Sequence, residues 1–215
     1  MTQTSLSRIV ALVPVRSLSG AKSRLGEPLD AEERADLILG LLRHTLDEAL
    51  AATRLAGVVA VSMDADLLEM ARAMGAASLL QEADGLNEGL TEARFAASPE
   101  ATAVMVLPAD LPGVAASAID QLAEAAELAI RTAPEKPVVV LVPDRHGTGT
   151  NALLIAPPDA IEFRFGEGSR AAHRAAAEAV GASYLELDGP LSFDVDTPDD
   201  LLEADLLGLD HEVGR

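Results

Sequence analysis

The chain has 215 residues, of which 49% are hydrophobic but only 2% aromatic, so it can bury a sizeable core built from Ala, Leu and Val. The absence of cysteine excludes disulfides, thiolate metal sites and cysteine nucleophiles. A net charge of −19 argues against a nucleic-acid or anionic-membrane partner. Since the sequence shows neither a membrane-length apolar run nor a signal-peptide pattern, we expect a soluble cytoplasmic protein.

Short apolar runs alternate with segments of helical spacing along the chain. The predicted strands are Arg8–Val15, Val58–Ser62, Ala77–Leu80, Ala103–Leu107, Val138–Val142, Ala152–Ile155 and Ser183–Leu187. The first predicted helix begins at Asp30, the second runs from Asp64 to Met74, and the third follows the turn Asp84–Leu90 to about Ala97. The fourth begins after Gly113 and runs to Arg131, and the fifth runs from Ser169 to about Val180. This alternation favours a mainly parallel sheet with helices on both faces. Neither an internal repeat nor a long linker interrupts it, so residues 1–215 are expected to form a single domain.

The first predicted strand is followed by a loop of small residues that carries the cations Arg16, Lys22 and Arg24. Lys22-Ser23 matches the end of a Walker A loop, but that motif requires glycine where this chain has Arg16 and Ala21, so we reject it. Residues 1–26 contain no acid, whereas residues 188–212 contain nine acids and no Lys or Arg. If these two ends meet, they suit an anionic substrate bound through a divalent metal.

Asp110 lies just beyond the apolar run 103–107, in a turn stiffened by Pro108 and Pro112. Open α/β sheets bind ligands beyond the carboxyl ends of their strands, so a carboxylate fixed there is well placed to hold a metal ion. The alternative is an aspartate that caps the next helix.

A second acidic turn lies near the C-terminus. In extended backbone, Asp194 and Asp196 point to the same side, and two like charges there are unfavourable unless a cation bridges them. Thr197 followed by Pro198 predicts a helix start, and the helix dipole accounts for Asp199 and Asp200.

Two glycine-rich segments follow in the second half of the chain. Gly147-Thr-Gly149 partly matches a dinucleotide fingerprint, but that motif must open a helix and a strand is predicted here instead. In the second segment, Ser169 is predicted to cap a helix, and backbone N–H groups beside Gly166 and Gly168 form an anion site. Further positive charge comes from Arg164, Arg170, His173 and Arg174, although the last three also suit an exposed helix face.

Four stretches resemble the 2-phospho-L-lactate and phosphoenolpyruvate guanylyltransferases, a family of the nucleotide-diphospho-sugar transferase superfamily that serves biosynthesis of the deazaflavin cofactor. They are Val13-Pro-Val-Arg16 with Ala21–Leu25, Ala109–Pro112, Gly147–Thr150 with Phe165–Ser169, and Asp194–Pro198. The Gly-Thr-Gly-Thr pair with the Phe-Gly-x-x-Ser loop is the most specific, and it favours this family over molybdenum-cofactor and sugar nucleotidyltransferases. The resemblance implies a three-layer α/β/α sandwich with a Rossmann-like, mainly parallel mixed sheet.

The resemblance also implies roles for individual residues. It assigns Asp110, Asp194 and Asp196 to two Mg²⁺ ions, Thr150, Gly166 and Ser169 to a phosphorylated three-carbon acid, Lys22 with Asp110 to catalysis, and Arg16, Lys22 and Asn87 to the nucleotide. The implied reaction joins GTP to phosphoenolpyruvate or 2-phospho-L-lactate and releases pyrophosphate. Catalysis of this kind is mostly positioning and charge neutralisation, so no histidine needs to act.

Three matters stay open at this point. The sequence does not choose between the two acceptors, and no residue can be assigned to guanine specificity. The resemblance allows a homodimer. The alternatives are a nucleotidyltransferase with a molybdopterin or sugar-phosphate acceptor, and a non-catalytic nucleotide-binding regulator.

Overall fold

The computed structural model describes residues 6–15, 30–97, 99–195 and 200. The described residues form seven strands: β1 (Ile9–Pro14), β2 (Leu55–Ser62), β3 (Ala77–Leu80), β4 (Ala103–Val106), β5 (Val138–Pro143), β6 (Thr150–Ala156) and β7 (Ser183–Glu186). They also form five α-helices: α1 (Ala31–Ala51), α2 (Ala65–Ala73), α3 (Leu86–Ala97), α4 (Ala116–Thr132) and α5 (Ser169–Ala179). A 3₁₀ turn spans Pro190–Ser192. The basic loop 16–25 and most of the helix predicted from Thr197 lie outside the described residues.

Local capping chemistry sets the first two helix starts where the sequence predicted them. The Asp30 carboxylate accepts a hydrogen bond from the Glu33 amide at 2.9 Å, and the Glu33 carboxylate accepts one from the Asp30 amide at 2.8 Å, which is a capping box. Asp64 caps α2 by accepting from the Asp66 amide at 3.1 Å. No helix in these parts of the chain is both long and apolar enough to cross a membrane.

The strands form one mixed sheet in the order β3-β2-β1-β4-β6-β5-β7. β1 pairs in parallel with β2 and β4, β2 with β3, and β5 with β7, whereas β6 runs antiparallel to both β4 and β5. The turn between β5 and β6 is too short for a parallel crossover, so these two strands form a hairpin. The predicted mainly parallel mixed sheet is confirmed.

Helices cover both faces of this sheet. Alternate strand residues point to opposite faces, so Leu12 packs in one buried cluster with Leu90 of α3, while Ala11 packs in another with Leu42 of α1. Residues of α2 and α4 join the α1 side, and Ala177 of α5 joins the α3 side. The predicted three-layer α/β/α architecture, with a core of small and aliphatic residues, is therefore confirmed.

One edge of the sheet gathers the candidate residues. The carboxyl ends of β4, β5 and β7 lie at the same edge as the amino end of β6, because β6 runs the opposite way. Asp110 follows β4, and Thr150 begins the neighbouring strand β6. The antiparallel course of β6 thus places Thr150 at the same edge as Asp110.

Candidate functional site

The two acidic turns meet at this edge. The Val195 amide donates a hydrogen bond to the Asp110 carbonyl oxygen at 3.0 Å, which joins the turn after β4 to the segment that carries Asp194. Gly113 also contacts this segment, since a Cβ added there would lie 2.4 Å from the carbonyl oxygen of Pro190. The turns that carry Asp110 and Asp194 are therefore in direct backbone contact, although they lie far apart in the sequence.

Asp110 does not cap the next helix. α4 begins at Ala116, its N-cap is Ala115, and no side chain caps it through that position. The first amide of α4 instead donates to the Glu48 carboxylate of α1 at 2.6 Å. The capping alternative considered from the sequence is therefore wrong, and Asp110 is held in its turn by other contacts.

Asn151 is a site residue that the sequence did not single out. It is buried at the start of β6, and its amide nitrogen donates to the carbonyl oxygen of Leu191 at 3.1 Å and, more weakly, to Asp194 Oδ1 at 3.4 Å. Through these two bonds, Asn151 of β6 orients the Asp194 carboxylate, which lies just after the 3₁₀ turn. The signal available in the sequence was an asparagine directly between the Gly147–Thr150 segment and the predicted strand 152–155.

The predicted metal triad is present only in part among the described residues. Asp110 and Asp194 are half-exposed and lie in the joined turns, whereas Asp196 falls outside the described ranges. Within those ranges no three His, Cys, Asp or Glu side chains lie close enough together to hold one ion. The assignment of metal to this set stays a prediction, as do the roles of Arg16 and Lys22, which also lie outside.

Ser169 opens α5 and does not cap it. The helix begins at Ser169 itself, and Gly168, at a φ of +70°, occupies the N-cap position without a side-chain cap. Ser169 is only 2% exposed, and its backbone N–H donates to the Gly166 carbonyl oxygen at 3.1 Å. The capping role predicted for Ser169 is wrong because glycine adopts the left-handed N-cap conformation one residue earlier. The partial positive charge at the N-terminus of α5 suits an anionic ligand.

The Gly-Thr-Gly-Thr turn is attached to the same helix start. The Arg170 amide donates to the Thr148 carbonyl oxygen at 3.2 Å, and the Arg170 guanidinium donates to the Gly147 carbonyl oxygen at 2.9 Å. Within the turn, the Asp144 carboxylate accepts from the Thr148 amide at 2.8 Å. These contacts place the Gly147–Thr150 turn beside the first residues of α5.

His173 connects this junction to the preceding loop. Its Nδ1 lies 3.1 Å from Thr150 Oγ1, and its Nε2 accepts a hydrogen bond from the Arg164 amide at 2.9 Å. The residue is fully buried, and burial lowers the pKa of the imidazole to about 4. The expectation that His173 adds positive charge or lines an exposed face is therefore wrong. A sequence signal was available, because Ser169, His173 and Ala177 share one helix face at intervals of four residues.

Arg170 is also not a free cation. Its guanidinium pairs with the Glu186 carboxylate through bonds of 3.1 and 2.6 Å, and the Tyr184 hydroxyl donates to the same carboxylate at 2.6 Å. The Arg170 guanidinium lowers the pKa of Glu186, because it stabilises the charged carboxylate. Arg170 thus fixes β7 to α5, and Arg164 remains as an exposed cation beside the glycine-rich loop.

Asn87 holds the Phe165–Ser169 loop in place. Its Nδ2 donates to the Phe165 carbonyl oxygen at 3.0 Å, and its Oδ1 accepts from the Phe165 amide at 2.8 Å. The Phe165 ring then meets the His173 ring edge to face, with centroids 5.0 Å apart. The structure therefore places Asn87 against the Phe165–Ser169 loop, while its predicted nucleotide contact stays a prediction.

Asp200 has a specific partner. It is 2% exposed and pairs with Arg145, whose guanidinium lies over the Phe193 ring at 4.9 Å from the centroid. This ion pair is a specific contact beyond the helix dipole that the sequence suggested for this acid. Its ion pair links the turn after β5 to the segment that follows Asp194.

Comparison with known proteins gives one consistent family. The model of the family described as "Guanylyl transferase CofC like" matches residues 9–213. A phosphoenolpyruvate guanylyltransferase from Sphaerobacter thermophilus is 45% identical over 196 residues, covering 90% of this chain and 91% of that protein. Another, from Rubrobacter xylanophilus, is 44% identical over 204 residues, covering 93% and 95%.

The solved structures agree at the level of the fold. A protein from Desulfovibrio desulfuricans G20, described as a nucleotide-diphospho-sugar transferase, superposes with a TM-score of 0.66 at 18% identity, covering 96% of this chain and 98% of that one. An identity this low shows the fold alone. The family match covers nearly the whole chain and includes both acidic turns and both glycine-rich segments. The chain therefore belongs to the family of CofC-like guanylyltransferases.

Proposed function

We propose that this protein is a phosphoenolpyruvate guanylyltransferase. A phosphate oxygen of phosphoenolpyruvate attacks the α-phosphorus of GTP, the bond from that phosphorus to the bridging oxygen breaks, and pyrophosphate leaves. The family match and the names of the two relatives above support this assignment. The relatives' names also favour phosphoenolpyruvate over 2-phospho-L-lactate, a choice that the sequence left open.

The observation that carries the proposal is the position of two consecutive residues of β6. Thr150 contacts α5, the helix that Ser169 opens, whereas Asn151 contacts Asp194. A site for an anion and a pair of carboxylates therefore lie next to each other at one sheet edge. Two anionic reactants need this combination, because one must be held and the charge of the other neutralised.

The acceptor site is proposed at the start of α5. The partial positive charge of a helix N-terminus attracts an anion, although the amides of Ser169 and Arg170 here already donate to the carbonyl oxygens of Gly166 and Thr148. Gly166, at a φ of +124°, has open space where a Cβ would lie, so its backbone leaves room for a ligand. Ser169 and Thr150 supply hydroxyls at the same junction.

We propose that Mg²⁺ binds at the joined acidic turns. Asp110 and Asp194 are hard oxygen ligands of the kind that Mg²⁺ prefers, and Asp196 is the proposed third ligand. When bound, the ion would neutralise phosphate charge in an in-line displacement. Lys22 and Arg16 are proposed to contact the triphosphate, on the family resemblance.

This reaction needs no general base from the protein. The attacking phosphate is already ionised near neutral pH, and the buried, neutral His173 is engaged at both ring nitrogens. Positioning by the two halves of the site accounts for the remaining demand on the protein. We also propose a cytoplasmic location and a homodimer, and sedimentation would test the latter.

Pyrophosphate release is the direct test. We expect release from GTP with phosphoenolpyruvate, abolished by EDTA and restored by Mg²⁺, with lower kcat/KM for ATP and CTP and for 2-phospho-L-lactate. Turnover only with a sugar phosphate or a molybdopterin acceptor would contradict the proposed acceptor. Nucleotide binding without turnover, and without a requirement for Mg²⁺, would instead indicate a regulator.

A further inference from the structure

We propose that His173 is a positioning residue that holds the Thr150 hydroxyl as a hydrogen-bond donor toward the phosphorylated acid. This inference rests on the proposed function, because it assumes that the acid binds beside Thr150. It assigns a task to a residue that the chemistry of the reaction does not require. The geometry that carries it is the pair of bonds at the two ring nitrogens.

The bond at Nε2 fixes the protonation of the ring. A backbone N–H can only donate, so the Arg164 amide, 2.9 Å from Nε2, requires a lone pair on that nitrogen. A protonated imidazolium would place a second N–H against this amide. The ring is therefore neutral with its proton on Nδ1, and its complete burial favours the same uncharged form.

The tautomer fixes the direction of the next bond. Nδ1–H donates to Thr150 Oγ1 across 3.1 Å, so the proton of the hydroxyl cannot point back to the ring. No other described residue forms a hydrogen bond with this hydroxyl, and Thr150 retains 8% exposure. The proton is thus available to an acceptor atom of a ligand at this junction.

The ring is held in place from a third direction. Phe165 contacts the imidazole edge to face, and Asn87 clamps the backbone of Phe165 through its amide and carbonyl groups. A ring flip would break both bonds at the nitrogens. The direction of the Thr150 proton is therefore built into the packing between α3, the glycine-rich loop and α5.

A purely structural role for His173 would use the same two hydrogen bonds, so the test must separate that role from the positioning of the Thr150 hydroxyl. An Asn amide can replace the Nδ1 donor and a Gln amide can replace the Nε2 acceptor. We therefore expect His173→Gln to keep the loop anchored but to raise the KM for phosphoenolpyruvate about three- to tenfold, as the loss of a neutral hydrogen bond implies. We expect His173→Asn to raise this KM less, although it unfolds at a lower temperature. The KM for GTP should stay within about twofold of the wild type in both variants.

A double-mutant cycle with Thr150→Val gives the decisive measurement. If His173 acts through the Thr150 hydroxyl, His173→Gln raises the KM for phosphoenolpyruvate by less than about twofold once that hydroxyl is absent. Fully additive effects, or KM changes that follow the melting temperatures of the two His173 variants, would overturn the proposal. Wild-type protein without turnover of phosphoenolpyruvate would instead overturn the proposed function.

Ring ¹⁵N NMR of the wild type gives a readout that does not depend on turnover. The Nδ1–H tautomer at neutral pH supports the inference, and the Nε2–H tautomer or an imidazolium overturns it.

Discussion

Replacing Ser169 by alanine tests the acceptor site with little disturbance of the fold. Gly168 rather than Ser169 is the N-cap of α5, and no side chain forms a capping hydrogen bond there. The loss of about 1 kcal/mol that accompanies removal of a capping hydroxyl therefore does not apply. We expect Ser169→Ala to change the free energy of unfolding by less than about 0.5 kcal/mol. For a chain of this length that corresponds to a melting-temperature shift below about 2 °C.

The effect on acceptor binding should be much larger. A hydrogen bond to a charged group contributes about 1.5–3 kcal/mol. Since about 1.4 kcal/mol is a factor of ten, the KM for phosphoenolpyruvate should rise about 10- to 150-fold in Ser169→Ala. The KM for GTP should stay within about twofold, because the residue contacts only the acceptor in the proposed site.

The assay is pyrophosphate release with each substrate varied at saturating concentration of the other, together with thermal unfolding. Ser183→Ala is the matched control, since Ser183 begins β7, at the end of the strands opposite the candidate site, and is not assigned to that site. Wild-type KM for phosphoenolpyruvate in Ser169→Ala would refute the acceptor assignment. An equal rise in both KM values would indicate general disruption of the site instead.

Three further predictions concern the acidic turns, the contact between Asn87 and Phe165, and the pH dependence of stability. Asp110→Asn should remove nearly all turnover at millimolar Mg²⁺ while the fold survives. Asp159 is an exposed acid beyond the far end of β6, so the control variant Asp159→Asn should keep its turnover. Near-normal turnover in Asp110→Asn would exclude a metal role for this acid. Asn87→Ala removes two hydrogen bonds to Phe165, so we expect a loss of about 1–3 kcal/mol in unfolding free energy and a higher KM for phosphoenolpyruvate. A rise confined to the KM for GTP would instead support the nucleoside contact. Burial lowers the pKa of His173 to about 4, below its unfolded value, so the unfolded chain binds the proton first and stability falls as the pH drops from about 6.5 toward 4. Urea unfolding should show that wild type loses about 2 kcal/mol more than His173→Gln between pH 7 and pH 5, and equal losses would contradict the buried neutral ring.

The sequence by itself determined most strands and helices and the position of Asp110 after β4. Local sequence predicts the strands β1, β4 and β5 from their apolar runs, and it predicts the starts of α1 and α2 from the capping residues Asp30 and Asp64. Both signals involve only residues that are a few positions apart. The position of Asp110 beyond a buried strand was likewise visible in the sequence, and with the alternation of strands and helices it predicted a site at the carboxyl ends of the strands.

Only the tertiary structure decided which side chains serve that site and how. Asn87 reaches Phe165 across 78 positions of sequence. His173 is buried and neutral because its helix face packs under the glycine-rich loop, although the neighbouring arginines suggested a charged surface. The capping roles considered for Asp110 and Ser169 also failed, because Ala115 and Gly168 occupy the cap positions. Burial, tautomer and hydrogen-bond partner depend on contacts between residues far apart in the chain, and local sequence spacing does not specify those contacts.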